Sequence, residues 1–384
     1  MKKSMAAIAA LGALGALGAL GAGSAYAQSS VTIYGLIDAT ISTTNNANAS
    51  GARLTGISTA WFSGNRLGFR GKEDLGGGLD AIFKLEAEYL VATGAMDTPG
   101  VLFNRDSWVG LQDQRTFGQV TIGRQNTLAR DFAQVYGDAY GSSAIGYEEG
   151  GFTNNNNFKQ MIFYAGSATG TRYDNGVVWK KVFDNGLVAG AGYQFGEVAG
   201  SFNSGTTKSF GLGYNAPSFV LASFYNEADV GNKADASTEK HKSWSLGGSY
   251  MFGITRLNAG YFHYTAEQGA LGKRTDNAWT VSAKFAPQGV MDYEIGYQVM
   301  KASNAAYNSD GTGTLNAYSD ASGSTATGSG KKSTLYGSVF YHLSKRTELY
   351  VAADYMKLGD GYRVASANGF KNQTELAVGM RTRF

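Results

Sequence analysis

The chain has 384 residues, with 33 basic and 30 acidic side chains, 54 Gly, 23 Tyr, 21 Phe, three Pro and no Cys. Near balance of charge argues against a nucleic-acid partner, which needs a strong basic excess. The absence of Cys excludes disulfides, thiolate metal sites and a Cys nucleophile, and no cofactor or metal is expected.

In chain order, Lys2 and Lys3 precede an apolar run to Gly23, and Ala25-Tyr26-Ala27 has the small-x-small form of a cleavage site. The pattern predicts an export signal over residues 1–27, with the mature chain starting at Gln28. The run is mostly Ala and Gly, which disfavours a retained anchor. The remaining 357 residues carry 31 basic and 30 acidic groups. They contain no apolar run long enough for a membrane helix. An exported, Cys-free, Pro-poor chain rich in Gly and aromatics suits an outer-membrane β-barrel, and also some secreted β-proteins.

Val31–Ile41 alternates as a strand, and the polar stretch Ser42–Gly64 reads as a loop. Asn65–Tyr89 then reads as a hairpin turning at Gly76-Gly77-Gly78. Leu67, Phe69, Leu79, Ala81, Phe83, Leu85 and Ala87 lie on its apolar face; Arg66, Arg70, Lys84, Glu86 and Glu88 lie on the other. Phe103–Gln112 and Gly118–Gln125 form the next pair. The alternation then stops over Asn126–Thr171, a length that marks a functional loop, with a short strand expected at Phe158–Tyr164. Strands resume at Arg172–Lys180 and Leu187–Gly196. Nine more follow to the C-terminus, joined by short turns alternating with long polar loops, of which Ala302–Lys332 is the longest. That rhythm is the turn-and-loop pattern of bacterial barrels, and the count is sixteen. Sixteen strands would enclose an aqueous lumen. In the last strand Leu376, Val378, Met380 and Phe384 oppose Glu375, Arg381 and Arg383. An apolar row in lipid, arginines in a wet lumen and an aromatic at the membrane rim account for this arrangement.

VTIYGLID (31–38), NRLGFRGKEDLGGGLDAIFKLE (65–86), FNRDSWVGL (103–111), FGQVTIGRQ (117–125), RYDNGVVWK (172–180), YHLSKRTELYV (341–351) and the terminal Phe384 together resemble the general trimeric porins of Gram-negative bacteria, most closely the β-proteobacterial branch. The resemblance covers the whole mature chain. It implies an all-β, 16-stranded antiparallel transmembrane barrel, a homotrimer in the outer membrane in contact with lipid and lipopolysaccharide, and passive diffusion of ions and small hydrophilic solutes. It further implies that the third extracellular loop, here Asn126–Thr171, folds inward and narrows the pore.

In such porins wall arginines face loop acids. The matching wall positions are Arg66, Arg70, Arg105 and Arg172; the loop candidates are Asp131, Asp138, Glu148 and Glu149, the last two within YEEGG. Parity supports Arg66, Arg70 and Arg172 facing the lumen. Arg105 shares parity with the apolar Val109 and Leu111, so its assignment rests on the resemblance. Arg124 shares parity with Val120 and Ile122 and is left out. An excess of wall arginines over loop acids implies weak anion preference. Each of these acids has an ordinary alternative as an intraloop hydrogen-bond acceptor. Phe384 is assigned to membrane insertion.

An enzyme reading rests on only three histidines, His241, His263 and His342, none near a nucleophile elbow or a metal-spaced partner. An adhesive protein would need residues for a further domain. A substrate-specific channel is the nearest rival. It would line the path with an aromatic slide or a dense row of one charge, whereas the charges here are mixed.

Overall fold

The computed structural model describes residues 29–147, 170–232, 237–310, 312–316, 323–364 and 369–384. The expected export signal, the Phe158–Tyr164 strand and the acids Glu148 and Glu149 lie outside the described residues.

The described chain is almost entirely strand: β1 (Ser30–Thr44), β2 (Leu54–Thr59), β3 (Arg66–Gly76), β4 (Leu79–Glu88), β5 (Asp106–Asp113), β6 (Gly118–Asn126), β7 (Arg172–Val182), β8 (Leu187–Gln194), β9 (Thr207–Asn215), β10 (Phe219–Asn232), β11 (Ser237–Phe252), β12 (Thr255–Glu267), β13 (Lys273–Phe285), β14 (Met291–Ala306), β15 (Thr327–His342), β16 (Thr347–Asp360) and β17 (Asn372–Arg383). One short helix, α1 (Leu128–Ala133), follows β6. No helix among the described residues is long and apolar enough to cross a membrane.

From β3 onward each strand pairs antiparallel with the next, and β17 pairs back onto β1, so the sheet closes without an edge. On its other side β1 pairs with β3 through Ser30–Leu36 and with β2 through Ala39–Thr44. β2 and β3 thus share one position in the wall, end to end, and seventeen strands make a sixteen-position barrel. The polar stretch Ser42–Gly64 is therefore not all loop, because it contains the end of β1 and all of β2. Its alternation is hard to see because Thr and Ser occur on both faces, with Ser42 and Ser58 inward and Thr43 and Thr55 outward, so only Ile41 and Ile57 mark the outward face as apolar.

The two faces are inverted relative to a water-soluble protein. Ile41, Leu246, Val351 and Val378 are 58–65% exposed on the outside, while Asp38, Glu86, Asp106 and Arg105 are buried inside. Lipid outside and water inside resolve the inversion. The connections β3–β4, β5–β6, β7–β8, β9–β10, β11–β12, β13–β14 and β15–β16 are tight turns at one end; the long loops lie at the other. In β3–β4 the turn requires Gly76, Gly77 and Gly78, all at positive φ (64° to 90°).

Candidate functional site: a narrowed lumen

The loop after β6 turns inward at Thr127, whose side chain accepts the Arg130 N–H (3.2 Å) and caps α1. The apolar residues of α1 and the turn after it, Leu128, Phe132 and Tyr136, are buried against the inner wall. What receives them is glycine. Gly190 on β8 faces Leu128, Gly211 on β9 faces Phe132, and Gly247 on β11 and Gly260 on β12 both face Tyr136. A Cβ at any of these four would collide with the side chain above it. Burial lifts the Tyr136 and Tyr140 phenols above the ordinary tyrosine range, so both remain neutral hydrogen-bonding groups.

Beyond α1 the loop is hung from one wall strand after another. The Gly137 carbonyl accepts from Thr280 Oγ1 (3.1 Å) and Gln298 Nε2 (2.9 Å), and the Ala139 carbonyl accepts from Arg256 Nη2 (2.7 Å). The Ala139 N–H donates to the Tyr336 hydroxyl (3.1 Å), and the Tyr140 hydroxyl donates to Ser338 (2.9 Å). On the return, Asn215 brackets Ile145 through both its N–H and its carbonyl (3.0 and 2.9 Å). The loop therefore forms an inner layer over β7–β15.

A second inward element meets its far end. Between β2 and β3 the wall breaks, and the Asp38 carboxylate accepts the N–H groups of Phe62 and Ser63 (both 2.9 Å). Tyr350 donates to the same carboxylate (2.5 Å). The Phe62 ring projects inward to lie 4.5 Å from Tyr140, 4.7 Å from Tyr350 and 4.9 Å from Phe340, centroid to centroid.

Among the described residues an opening lies beside β1 and β3–β7. A cavity of about 270 Å³ there is lined by Arg70, Lys84, Asp106, Gln125, Asp131 and Lys180, among others. Glu86 is the hub of its wall: Arg105 Nε bonds it, Lys84 lies 3.5 Å away, Arg66 3.8 Å away, and Tyr34 donates to it (2.7 Å). Arg105 also reaches Glu88 (2.6 Å), Lys84 reaches Asp106 (2.6 Å), and Arg172 Nε is 4.0 Å from Asp106. Asp131, on α1, pairs directly with Lys180 of β7 (2.6 Å), and both line the same cavity. Buried charge of this density persists only where each group has an opposite partner.

A model of the Gram-negative porin family matches residues 7–361. The chain belongs to the Gram-negative porins. Among relatives, an outer membrane porin protein of Bordetella pertussis is 29% identical over 94% of this chain and 96% of its own length. Outer membrane porin protein 32 of Delftia acidovorans is 31% identical over 77% of this chain and 79% of its own. Among solved structures, an anion-selective porin from Comamonas acidovorans superposes with a TM-score of 0.70 at 23% identity, covering 93% of this chain and all of the other. The Vibrio cholerae outer membrane protein OmpT in its trimer form superposes at 0.61 and 14%, covering 93% and 99%. The protein is an outer-membrane channel and not an enzyme.

The porin's expected site residues fall in different places. Arg66, Arg105, Arg172 and Asp131 come together as described, and Arg70 lies further along the same wall, over the Tyr34 ring (5.4 Å). Arg105 reaches the lumen despite its parity because β5 begins one residue later, at Asp106. Asp138 does not face the passage. It is buried between loop and wall, and its carboxylate accepts the Tyr140 N–H (2.8 Å). Arg124 sits where the β6–β7 register shifts and pairs with Asp174. Sequence reading gave no site role to Lys84, Glu86, Glu88 and Asp106, and it missed Lys180 and Phe62. For Lys180 the signal was parity, since it shares the inward face of β7 with Arg172; for Phe62 there was none, since it lay in a presumed loop. Phe384 closes the barrel, exchanging backbone hydrogen bonds with Gly35 (both 3.1 Å). Outward-facing His263 lies 2.9 Å from Asn277 Oδ1, and His342, elsewhere, bridges Asp292 (2.8 Å) and Glu348 (3.2 Å).

Proposed function

We propose that the passage beside β1 and β3–β7 is the constriction of a general-diffusion channel for ions and small hydrophilic solutes, with weak preference for anions. The carrying observation is its charge balance. Among the described residues Arg66, Arg70, Lys72, Lys84, Arg105, Arg172 and Lys180 stand against Asp80, Glu86, Glu88, Asp106 and Asp131, seven cations to five acids. A net positive, water-filled neck raises the local anion concentration. The mixed signs oppose a single-charge, substrate-specific track. Glu148 and Glu149, on the same loop, are the groups able to offset the excess.

The working form is a homotrimer, matured by removal of residues 1–27. What supports assembly is the outward face. On β9–β16 every strand carries an outward-facing aromatic, among them Phe210, Tyr225, Trp244, Tyr261, Trp279, Tyr297, Tyr341 and Tyr355. Across β17, β1 and β2 the matching rows are Leu376–Thr43–Thr55 and Val378–Ile41–Ile57, with no aromatic and no charge. A face without an interfacial belt suits protein contact better than lipid. The trimer form of the Vibrio protein is a precedent for such an assembly.

Planar-bilayer recording of the refolded chain across a salt gradient tests this reading. Conductance steps in groups of three with an anion-selective reversal potential are expected. A cation-selective sign would transfer control to the loop acids, and a folded barrel without conductance would overturn the constriction.

A further inference from the structure

Three lysines converge on the outward face of β14–β16. Lys301 and Lys331 are direct cross-strand partners, and Lys357 lies opposite Ser333, the next outward residue along from Lys331. All three are exposed. Like charges held opposite each other, with Cβ atoms roughly 5 Å apart, repel. Among the described residues none of the three has an ion-pair partner. The outward Lys242 on β11, by contrast, pairs with Glu227 at 3.0 Å.

Their height fits the outer boundary of the membrane. On β15 the outward face runs from Tyr341 up to Lys331, and on β14 from Met291 up to Lys301. Tilted strands gain about 2.5 Å per residue along the barrel axis, so either run climbs about 25 Å, the height of the apolar band. Beneath the lysines the outward residues are greasy. Tyr297, Leu335 and Tyr355 form one cross-strand row, and Ile295, Gly337 and Ala353 the next. Gly337 and Ala353 carry little or no side chain, so that second row is shallow beside Ile295. The Lys301 ammonium also lies 6.0 Å from the Trp279 ring centroid, which places it at the aromatic belt.

We propose that Lys301, Lys331 and Lys357 bind the headgroup phosphates of an outer-leaflet glycolipid whose acyl chains lie over the apolar rows beneath them. Ammonium groups at a membrane surface recognise phosphate as point charges, and an anion shared by three of them relieves their mutual repulsion. The proposal rests on the outer-membrane location and on the short turns facing the periplasm, and does not depend on the charge balance of the pore.

The test titrates the refolded porin in neutral detergent with bisphosphorylated lipid A, reading bound lipid by native mass spectrometry, beside a variant carrying Lys301→Gln, Lys331→Gln and Lys357→Gln. Removing three surface lysines is expected to weaken binding about a hundredfold. Dephosphorylated lipid A should bind both proteins equally weakly, and variant conductance should match the wild type, confirming an intact barrel. Equal affinity of the two proteins for lipid A would overturn the site. Full displacement of lipid A by millimolar inorganic phosphate would overturn the lipid assignment and leave a phosphate site. Conductance is read separately, so a failed channel and a failed lipid site give different results.

Discussion

Glu86 is the carboxylate around which the cations of the proposed constriction gather. It is 1% exposed and takes contacts from Arg66, Lys84, Arg105 and Tyr34. Neutralising it leaves several cations with one acid fewer. At ~8 Å and an effective dielectric of ~40, one charge is worth about 1 kcal/mol to a passing ion. Glu86→Gln should therefore raise the anion-to-cation permeability ratio several-fold, measured as reversal potential. Asp131→Asn, which removes the acid facing Lys180, should act in the same direction. Arg105→Ala should act in the opposite direction. It should also cost about 3 kcal/mol of barrel stability in denaturant titration, because Glu86 and Glu88 lose a buried partner. An unchanged reversal potential in all three would place the ion path elsewhere.

At the scale of elements, the loop is held by shape on one side and by an aromatic contact at its end. The wall glycines leave room for Leu128, Phe132 and Tyr136, so a side chain there must push the loop into the passage. Gly211→Val should lower single-channel conductance while leaving the barrel folded, as judged by heat-modifiable electrophoretic mobility. Phe62→Ala removes the ring that spans from Tyr140 to Phe340 and Tyr350. It should raise conductance and admit larger neutral sugars in liposome swelling. If its pore is unchanged, Phe62 serves only to fasten the strand break.

At the scale of the whole molecule, closure depends on β1 and β17, and the proposed trimer interface lies on the same strands. Phe384 and Gly35 complete the seam between them, and the Phe384 ring lies over Gly35, where a Cβ would strike it. Phe384→Ala should reduce the yield of folded barrel in outer-membrane fractions. Ile41→Trp with Val378→Trp keeps the outer face apolar but spoils its flatness. Mild-detergent electrophoresis should then show folded monomers in place of trimers; a persistent trimer would move the interface off this face.

Much of this architecture was legible in one dimension. Strand alternation is local, because successive side chains point to opposite faces wherever the backbone is extended. Sixteen positions, the turn-and-loop rhythm, the lumen-facing Arg66, Arg70 and Arg172 and the exceptional length of 126–171 could therefore be read from residue order. The destinations of irregular segments could not, because they depend on partners hundreds of residues away. Asp38 bonds the backbone of Phe62 and is bonded by Tyr350, and that arrangement alone turns part of a presumed loop into an inward wedge. Arg105 turns inward because β5 starts at Asp106, a boundary set by pairing with β4. Asp131 and Asp138 look alike in sequence, yet one pairs with Lys180 at the cavity wall and the other is sealed behind the loop. Periodicity specified the wall, and tertiary packing decided which of its charges face the water that ions cross.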